Sequence, residues 1–442
     1  MIEKNTQIIA RAAEMTTTPF YLYDQKTIDR KCSDLKSMPN AYGIQVRYAM
    51  KANSTKAMLE TICLDNGLGI DASSLNEARR ANAAGVPYKE IMLTTQEVPE
   101  GSDRAELEYM ISEGLKYNIC SMRQLKQISS FASDKNIPLS MRVHPGVGSG
   151  ESATRNTGDK YSCFGIHLTD LKRALNFAKN KNIIFDQVHV HIGSGGDPAK
   201  WRENIDRELG FVENHFLNTY YNQPISKISF GGGLKVARMP GETSADIQDL
   251  GKYAAEKISE FARRTRRELT MEIEPGTYPV ANSGYLVTKV IDKKQTGPDG
   301  FEFLVLDGGM EVNTRPLLYG SEHPFYIVSS SGKLLSTETD LSKLDPEKDQ
   351  RVVVGRCCES GDSQSLDETG HIVPRVMANP NIGDFVVVGG CGAYCSTMTP
   401  FNYNSHTQAP EIMLDREGKL KIIRHPQALH EITKNEVSIK DS

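Results

Sequence analysis

The chain has 442 residues, of which 38% are hydrophobic and 24% are charged, and its formal net charge is -4. Single hydrophobic cores stop growing near roughly 250 to 300 residues, so a chain of this length is expected to form two domains. The small net charge, with no block of Lys and Arg, disfavours nucleic acid or an acidic membrane surface as the main partner and favours a small-molecule substrate.

The N-terminal segment and the cysteines indicate the compartment. Residues 1–15 lack the apolar core and cleavage site of a signal peptide, and no run of about 18 apolar residues occurs. We therefore expect a cytoplasmic protein. The cysteines form no CxxC pair, so a disulfide framework or structural metal is disfavoured, and most of those outside the pair 357–358 are predicted to be core thiols. The cysteines are Cys32, Cys63, Cys120, Cys163, Cys357, Cys358, Cys391 and Cys395.

From residue 45 to residue 274, short apolar segments alternate with segments of helical period. Eight such alternations over about 230 residues favour a (β/α)8 barrel, of the TIM type, over an open doubly wound sheet. In such a barrel the reactive groups lie at the carboxyl ends of the strands. The predicted strands are QVRYAM, GLGID, IMLTT, YNIC, LSMRVH, VHVHIG, KISFGG and LTMEIE.

After residue 285 the pattern changes to short strands separated by Gly, Asp and Pro turns, which predicts an all-β C-terminal domain. The strand-like segment at 16–24 is a candidate to join it. We expect the barrel to span 25–285 and the β-domain to comprise 1–24 and 286–442. The predicted C-terminal strands are FLVLD, PFYIVSS, RVVVG, DFVVVGG, EIMLD and LKIIR.

Lys51 ends the first predicted barrel strand, in YAMKAN. A lysine that points into an apolar barrel must be paired, lose its charge or react, because an isolated buried ammonium is too costly. Reactive lysines of this kind form Schiff bases with carbonyl compounds. Taken alone, Lys51 is more often a solvated lysine at the end of a strand.

The sixth and seventh predicted strands end in glycine-rich loops. HVHIGSGGD contains His191 and Ser194, and SFGGGL contains Gly231 to Gly233. Without Cβ atoms, successive backbone N–H groups can face a phosphate, and loops late in a barrel are the usual phosphate site. A single GGG is more often only a turn.

Glu274 ends the eighth predicted strand, in EIEPG. Its carboxylate could hold a proton on a pyridine nitrogen, which makes pyridoxal phosphate an electron sink. Alone, Glu274 is more often a salt-bridge partner and His191 a core histidine. Lysine for an aldehyde, glycines for a phosphate, a carboxylate for a ring nitrogen and a histidine to stack on the ring together predict a pyridoxal 5'-phosphate site.

The chain resembles the pyridoxal-phosphate decarboxylases of the alanine racemase-like fold type (fold type III), and within them the diaminopimelate decarboxylase family. The resemblance implies a carboxy-lyase of lysine biosynthesis that converts meso-2,6-diaminopimelate to L-lysine and carbon dioxide. The matching motifs are YAMKAN, GIDASSLNE, RVHPGVGSG with NTG, HVHIGSGGD, GGGL, EIEPG, LDGG with RPLLYG, CCESGD, and GAY before YNS.

The resemblance also implies the role of each residue in the cofactor site. Lys51 carries the cofactor, His191 stacks on its ring and Glu274 binds its pyridine nitrogen. The residues implied around the phosphate are Ser194, Gly231, Gly232, Gly233 and Tyr394.

A head-to-tail homodimer with shared active sites is a further implication. Cys358 and Glu359 of one subunit would complete the active site of the other. Cys358 would be the acid that protonates the carbon from which carbon dioxide leaves, and Glu359 would hold the distal ammonium of the substrate. Cys357, in contrast, is expected to be a core thiol at a strand end.

Thr277 departs from the family motif, which usually reads Glu-Pro-Gly-Arg with the arginine gripping the distal carboxylate. A hydroxyl in its place removes a charge-assisted contact of roughly 1.5 to 3 kcal/mol. Arg315 and Tyr319 of the substrate-binding motif RPLLYG remain, whereas His406 and Thr407 follow YNS where relatives often have Arg-Pro. The distal pocket is therefore expected to be altered, and the cofactor pocket intact.

Several functions remain open on the sequence. The first is decarboxylation of meso-diaminopimelate with Arg315 alone on the distal carboxylate, and the second is decarboxylation of another amino acid, which Thr277 motivates. A third is a non-catalytic pyridoxal-phosphate-binding protein, for which Cys358 and Glu359 would be unnecessary. An alanine racemase is a further option, and the CESGD context of Cys358 fits decarboxylases better.

Overall fold

A computed structural model describes residues 5–146, 157–158, 160, 162–193 and 197–440. The chain divides into two compact units. The barrel unit comprises Asp29–Val236 and Thr243–Pro279, and the β unit comprises Met1–Ile28, Ala237–Glu242 and Val280–Ser442. Within the described ranges, no helix has both the length and the apolar character needed to cross a membrane.

The strands alternate with helices through the barrel unit and follow one another closely in the β unit. In chain order the strands are β1 (Phe20–Asp24), β2 (Ile44–Ala49), β3 (Gly69–Ala72), β4 (Ile91–Leu93), β5 (Lys116–Ile119), β6 (Leu139–His144), β7 (Ile166–His167), β8 (Phe185–His189), β9 (Lys227–Ser229), β10 (Thr270–Ile273), β11 (Gly284–Gln295), β12 (Glu302–Leu306), β13 (Phe325–Val328), β14 (Leu334–Thr337), β15 (Gln350–Val354), β16 (Arg375–Val376), β17 (Phe385–Val388), β18 (Glu411–Leu414) and β19 (Leu420–Arg424).

Most of the long helices belong to the barrel unit. The α-helices are α1 (Gln7–Ala13), α2 (Gln25–Lys36), α3 (Lys56–Leu59), α4 (Leu75–Ala83), α5 (Gly101–Ser112), α6 (Met122–Asp134), α7 (Leu168–Asn180), α8 (Pro198–Phe211), α9 (Ile247–Thr265), α10 (Thr277–Val280), α11 (Arg315–Tyr319) and α12 (Leu429–Thr433). A π-helical turn extends α3 over Glu60–Asp65, and another extends α8 over Val212–Phe216.

Eight parallel strands close into a barrel in the order β2, β3, β4, β5, β6, β8, β9, β10, and β10 pairs back with β2. Each of the eight overlaps a predicted strand, so the (β/α)8 prediction is confirmed. Parallel strands covered by helices are buried on both faces, which explains their runs of apolar residues. Helix starts are encoded locally: Ser74 caps α4 by accepting the N–H of Glu77, and Ser121 caps α6 by accepting the N–H of Gln124.

Inside the barrel, one layer of side chains is polar and internally paired. Arg47 of β2 donates through Nε to Glu272 Oε2 of β10 at 2.8 Å, and Gln187 Nε2 of β8 donates to Glu272 Oε1 at 2.7 Å. Both members of the ion pair are buried. Because Glu272 compensates a guanidinium that water cannot reach, removing Glu272 alone would leave a buried charge without its counter-ion.

We expect Glu272→Gln to lower the free energy of unfolding of the barrel unit by about 3 to 5 kcal/mol, since it leaves the charge of Arg47 buried without its counter-ion. Urea unfolding followed by circular dichroism measures this loss. Glu60→Gln, which removes an exposed pair with Lys56, is the matched control and should change stability by less than about 0.5 kcal/mol. Equal effects of the two variants would contradict the role of the buried pair.

The β unit is built on a sheet in the order β14, β13, β17, β11, β1, β18, β19, with β12, β15 and β16 branching from β11. The N-terminal strand joins it: Phe20 of β1 lies opposite Val287 of β11, and Tyr21 lies opposite Glu411 of β18. The C-terminal β-domain and the pairing of the N-terminal strand are thus confirmed. The core residues are Ile8, Ile9, Ala12, Phe20, Leu22, Tyr285, Val287, Tyr326, Val328, Phe385, Val387 and Ile412.

Candidate active site

Lys51 lies at the carboxyl end of β2, on a 3-10 helix that spans Met50–Ala52. The N–H of Ala49 donates to the carbonyl of Pro275 at 3.3 Å, which joins this strand end to the loop after β10. The side chain of Lys51 is exposed rather than buried in the barrel. This exposure matches the alternative of a solvated lysine at a strand end, because β2 ends at Ala49, two residues before Lys51.

The charge of Lys51 acts on three other titratable groups of the barrel unit. Burial raises the pKa of Asp71 and the pKa of Glu77, and the ammonium group of Lys51 opposes both increases. Burial lowers the pKa of His191 well below its usual range, and Arg142 and Lys51 lower it further. An exposed amine thus lies in a cluster of titratable groups at the mouth of the barrel.

Glu274 is a buried carboxylate at the end of β10. Its Oε2 accepts a hydrogen bond from His189 Nε2 at 2.8 Å, and its Oε1 accepts one from the Ser229 hydroxyl at 3.0 Å. Burial alone would raise the pKa of Glu274, but His189, His191 and Ser229 overcome it and lower the pKa to about 2. The group is therefore a fixed negative charge at neutral pH.

His191 is a neutral imidazole with a defined orientation. Its Nδ1 accepts a hydrogen bond from the N–H of Gly232 at 3.0 Å, so the ring proton is on Nε2. Its lowered pKa keeps the ring uncharged at neutral pH. A neutral flat ring held by backbone suits stacking on another aromatic ring.

The glycine loop after β9 leaves no space for a Cβ atom at Gly231 or Gly232. Gly231 has φ +65°, and a Cβ there would come within 2.7 Å of His191 Nδ1 and of the Val190 carbonyl. A Cβ on Gly232 would lie 2.6 Å from the Glu274 carbonyl, and Gly233 has φ +100°. Such a loop can bring its backbone N–H groups against an anion, as a phosphate site requires. Ser194, predicted to share this role, lies outside the described residues.

We expect Gly231→Ala to weaken binding of pyridoxal phosphate by about tenfold or more, because the left-handed conformation and the overlap with His191 each cost at least about 1 kcal/mol. Equilibrium dialysis of the cofactor against the purified variant measures the effect. Gly210→Ala in α8, where an added Cβ meets nothing within 4 Å, is the control and should bind normally. Normal binding by Gly231→Ala would contradict a phosphate role for this loop.

Arg315, the first residue of α11, is almost completely buried, with 1% exposure. Its Nε donates to His323 Nε2 at 3.4 Å, and its Nη2 donates to the Ser321 hydroxyl at 3.2 Å. The ring of Tyr319 lies 5.9 Å from its guanidinium carbon. No carboxylate among the described residues forms an ion pair with Arg315. A buried guanidinium whose contacts are all neutral is suited to an incoming anion.

His323 orients Arg315. Its Nδ1 donates to the carbonyl of Gly389 at 2.8 Å, so Nε2 is free of a proton and can accept from the guanidinium. Burial lowers the pKa of His323 well below its usual range, and Arg238 and Arg315 add to this effect. The neutral ring therefore positions Arg315 without supplying a compensating charge.

Cys358 and Glu359 are exposed on the loop that follows β15, whereas Cys357 is buried as expected. The N–H of Cys358 donates to Asn404 Oδ1 at 2.9 Å, and the hydroxyl of Tyr403 donates to Glu359 Oε2 at 3.2 Å. The Ser360 hydroxyl, the N–H of Gly361 and the Tyr403 hydroxyl lower the pKa of Glu359. Glu359 is thus ionised and accessible to a cation.

Two other predicted residues are half-buried. Tyr394 adopts φ +60°, a conformation that is uncommon for a residue other than glycine and that often marks a functional site. Thr277 is the first residue of α10, directly after the Pro275-Gly276 turn.

Three residues that hydrogen-bond to the predicted ones were not predicted: His189, Ser229 and His323. A signal existed for the first two. His189 precedes His191 by two residues and Ser229 precedes Gly231 by two, so side chains at these positions share a face of their strands. His323 gave no comparable signal.

The barrel site, with its amine, ionised carboxylate, neutral imidazole and glycine loop, fits pyridoxal phosphate. The family model "Pyridoxal-dependent decarboxylase, pyridoxal binding domain" matches residues 25–281, and the chain belongs to this family. It is a carboxy-lyase that uses pyridoxal phosphate. Within the family, it is 32% identical over 421 residues to diaminopimelate decarboxylase of Escherichia coli (strain K12), covering 94% of this chain and 92% of that protein.

Solved structures agree with this assignment. A crystal structure of diaminopimelate decarboxylase is 30% identical, with a TM-score of 0.83, covering 97% of this chain and 96% of that one. The diaminopimelate decarboxylase of Helicobacter pylori, complexed with L-lysine, is 25% identical with a TM-score of 0.81, covering 96% of this chain and 98% of that one.

Proposed function

We propose that this protein removes a carboxylate from meso-2,6-diaminopimelate and releases L-lysine and carbon dioxide. The observation that carries the choice of substrate is the buried Arg315, which has no counter-ion among the described residues. Diaminopimelate has a distal carboxylate that would pair with this guanidinium, whereas lysine and ornithine do not. The names of the relatives support the same substrate.

We assign the cofactor contacts to the barrel unit. Lys51 supplies the amine that attaches the cofactor aldehyde, and the loop Gly231–Gly233 binds its phosphate. Glu274 holds a proton on the ring nitrogen, and His191 packs on the ring face. When bound, pyridoxal phosphate accepts the electron pair left behind as carbon dioxide departs. Ser194 and Tyr394 are assigned as further phosphate contacts.

Other residues act on the substrate. The bond between the α-carbon and its carboxylate breaks, carbon dioxide leaves, and a proton takes its place on the same carbon. Cys358 delivers that proton from its thiol, and the ionised Glu359 holds the distal ammonium. Arg315 and Tyr319 hold the distal carboxylate, and Thr277 is assigned as a further substrate contact. The chain's task is mainly to position these groups.

We further propose a homodimer in which Cys358 and Glu359 of one subunit complete the active site of the other. Support comes from their exposure in the single chain: an acid and an ammonium-binding carboxylate work best where water is excluded. Analytical ultracentrifugation tests the dimer. Restored activity on mixing inactive Lys51→Ala with inactive Cys358→Ala subunits tests the sharing of sites.

A second candidate is decarboxylation of another amino acid, and Thr277 favours it. The experiment is carbon dioxide release by cofactor-loaded protein on meso-diaminopimelate, D-lysine, D-ornithine, L-lysine and L-ornithine, with Lys51→Ala as background. Preference for meso-diaminopimelate would support the proposal, and preference for another substrate would overturn it. If carbon dioxide were released from none of the five amino acids, the result would favour a non-catalytic protein that binds pyridoxal phosphate.

A further inference from the structure

The β unit contains a cluster of metal-ligating side chains outside the residues assigned to the reaction. One ligand atom each from Glu311, Cys357 and His406 lies within 4.8 Å of the other two. Glu311 and Cys357 are buried and His406 is half-buried. The three come from separate loops, so their spacing in the sequence could not show the cluster.

The carboxylate of Glu311 is already oriented. Its Oε1 accepts from Arg356 Nε at 3.1 Å, and its Oε2 accepts from the N–H of Gly309 at 2.8 Å. The thiol of Cys357 also donates to Oε2, with Sγ at 3.4 Å. Outer hydrogen bonds of this kind fix the direction of a metal-binding carboxylate. The sulfur and Oε2 are therefore adjacent ligand atoms once the thiol proton leaves.

The other two ligands are available to a cation. Burial, Glu311 and Asp362 raise the pKa of Cys357, so a metal would bind by displacing one proton from the thiol to solvent. Burial and Arg356 lower the pKa of His406, which keeps its imidazole neutral. Neither ring nitrogen of His406 makes a hydrogen bond within the described ranges, whereas its carbonyl accepts from Asn402 at 3.0 Å.

A small pocket adjoins the cluster. Glu311 and His406 both line it, together with Thr399 and Asn402. A pocket lined by two of the three ligands would give water access to an ion bound there, as in zinc sites with three protein ligands and one water.

We propose that Glu311, Cys357 and His406 bind a zinc ion, with water as the fourth ligand. A thiolate, an imidazole and a carboxylate form a ligand set that suits Zn²⁺, whereas Mg²⁺ and Ca²⁺ prefer oxygen ligands only. Bond lengths of about 2.0 to 2.3 Å put the ligand atoms of tetrahedral zinc roughly 3.5 Å apart. Cys357 Sγ and Glu311 Oε2 already lie 3.4 Å apart, so binding would require the half-buried His406 to approach them by up to about 1 Å.

Zinc at this position would tie together two segments near the proposed acid. Cys357 immediately precedes Cys358, whose N–H is bound by Asn404. Asn404 lies two residues before His406, and Tyr403 binds Glu359. The ion would thus fix the loop that carries Cys358 and Glu359 to the segment 403–406. The proposal concerns binding and does not depend on which substrate the enzyme uses.

The test is equilibrium dialysis of chelator-treated, full-length protein against Zn²⁺, followed by elemental analysis. We expect about one zinc per chain in the unaltered protein and background levels in Cys357→Ser and His406→Asn. Cys163→Ser and His425→Asn, which alter an exposed thiol and an exposed imidazole, are matched controls and should retain the ion. Zn²⁺ should raise the thermal transition of the unaltered protein and not that of Cys357→Ser.

Cobalt gives a second readout. Co²⁺ should produce visible absorption of a tetrahedral thiolate site that is lost in Cys357→Ser and retained in Cys358→Ser. Cys357→Ser keeps a hydroxyl that can donate to Glu311, so circular dichroism should show a normal fold. Absence of zinc from the unaltered protein, its retention in both ligand variants, or its loss only in Cys358→Ser would each overturn the proposal.

Discussion

Glu274→Gln is expected to lower the maximal rate of carbon dioxide release by about 100- to 1,000-fold, in line with the removal of one preorganised electrostatic contact from an active site. The amide has nearly the same shape and can still bond to His189 and Ser229. It lacks the negative charge that the lowered pKa of about 2 ensures at neutral pH. Without that charge, the proton that Glu274 is proposed to hold on the ring nitrogen would no longer be stabilised. Initial rates at saturating cofactor and substrate measure the effect.

Glu272→Gln separates this chemical role from a structural one. Glu272 also lies on β10, two residues earlier, and pairs with Arg47 rather than with the proposed cofactor contacts. Glu272→Gln should lose stability and keep most of its rate of carbon dioxide release per folded molecule. Glu274→Gln should keep its stability and lose most of that rate. If both variants lost activity only in proportion to their unfolded fraction, Glu274 would be a structural residue and its assignment to the ring nitrogen would be wrong.

The barrel strands could be predicted because buried parallel strands leave short apolar runs with helical segments between them. β11 was not predicted as a strand. Its first six residues, GYLVTK, are mostly apolar and pair with β1 and β17, while its last four, DKKQ, are mainly charged and pair with β12 beyond a bulge at Val290/Asp292. No single period of apolar residues continues along such a strand, so its pattern does not predict it. The inclusion of Ala237–Glu242 in the β unit could not be predicted either, because six residues are too few to show a periodic pattern.

The site residues at strand ends could be predicted, but the residues that hydrogen-bond to them could not. The hydrogen bond from His189 to Glu274 joins residues 85 positions apart, and that from Ser229 joins residues 45 apart. Such contacts follow from which strands become neighbours, which the sequence does not state. Whether Lys51 points into the barrel or lies at its solvent end could not be decided from the sequence for a related reason. A strand's last residue cannot be fixed to within one or two positions, and at a barrel rim that difference separates interior from surface.

Arg315→Met should lower kcat/KM for meso-diaminopimelate by about 30- to 4,000-fold, the range that follows from removing one partner of a buried ion pair at roughly 2 to 5 kcal/mol. Turnover of D-lysine, which has no distal carboxylate, should change little. The kcat/KM of Arg315→Lys for meso-diaminopimelate should lie between those of the unaltered protein and Arg315→Met, because a lysine keeps the charge and loses the bidentate contact. Steady-state kinetics on both substrates with all three proteins gives the ratio.

The stability of Arg315→Met separates a role in substrate recognition from a structural role. Because the contacts of Arg315 are neutral, Met removes a buried charge that nothing in the described chain compensates, and this gain offsets the lost hydrogen bonds to His323 and Ser321. We therefore expect the free energy of unfolding to change by less than about 1 kcal/mol while substrate recognition fails. A large loss of stability would mean that the guanidinium is structural. Equal losses of turnover on both substrates would mean that it does not recognise the distal carboxylate, and Thr277 would then mark a pocket for a different amino acid.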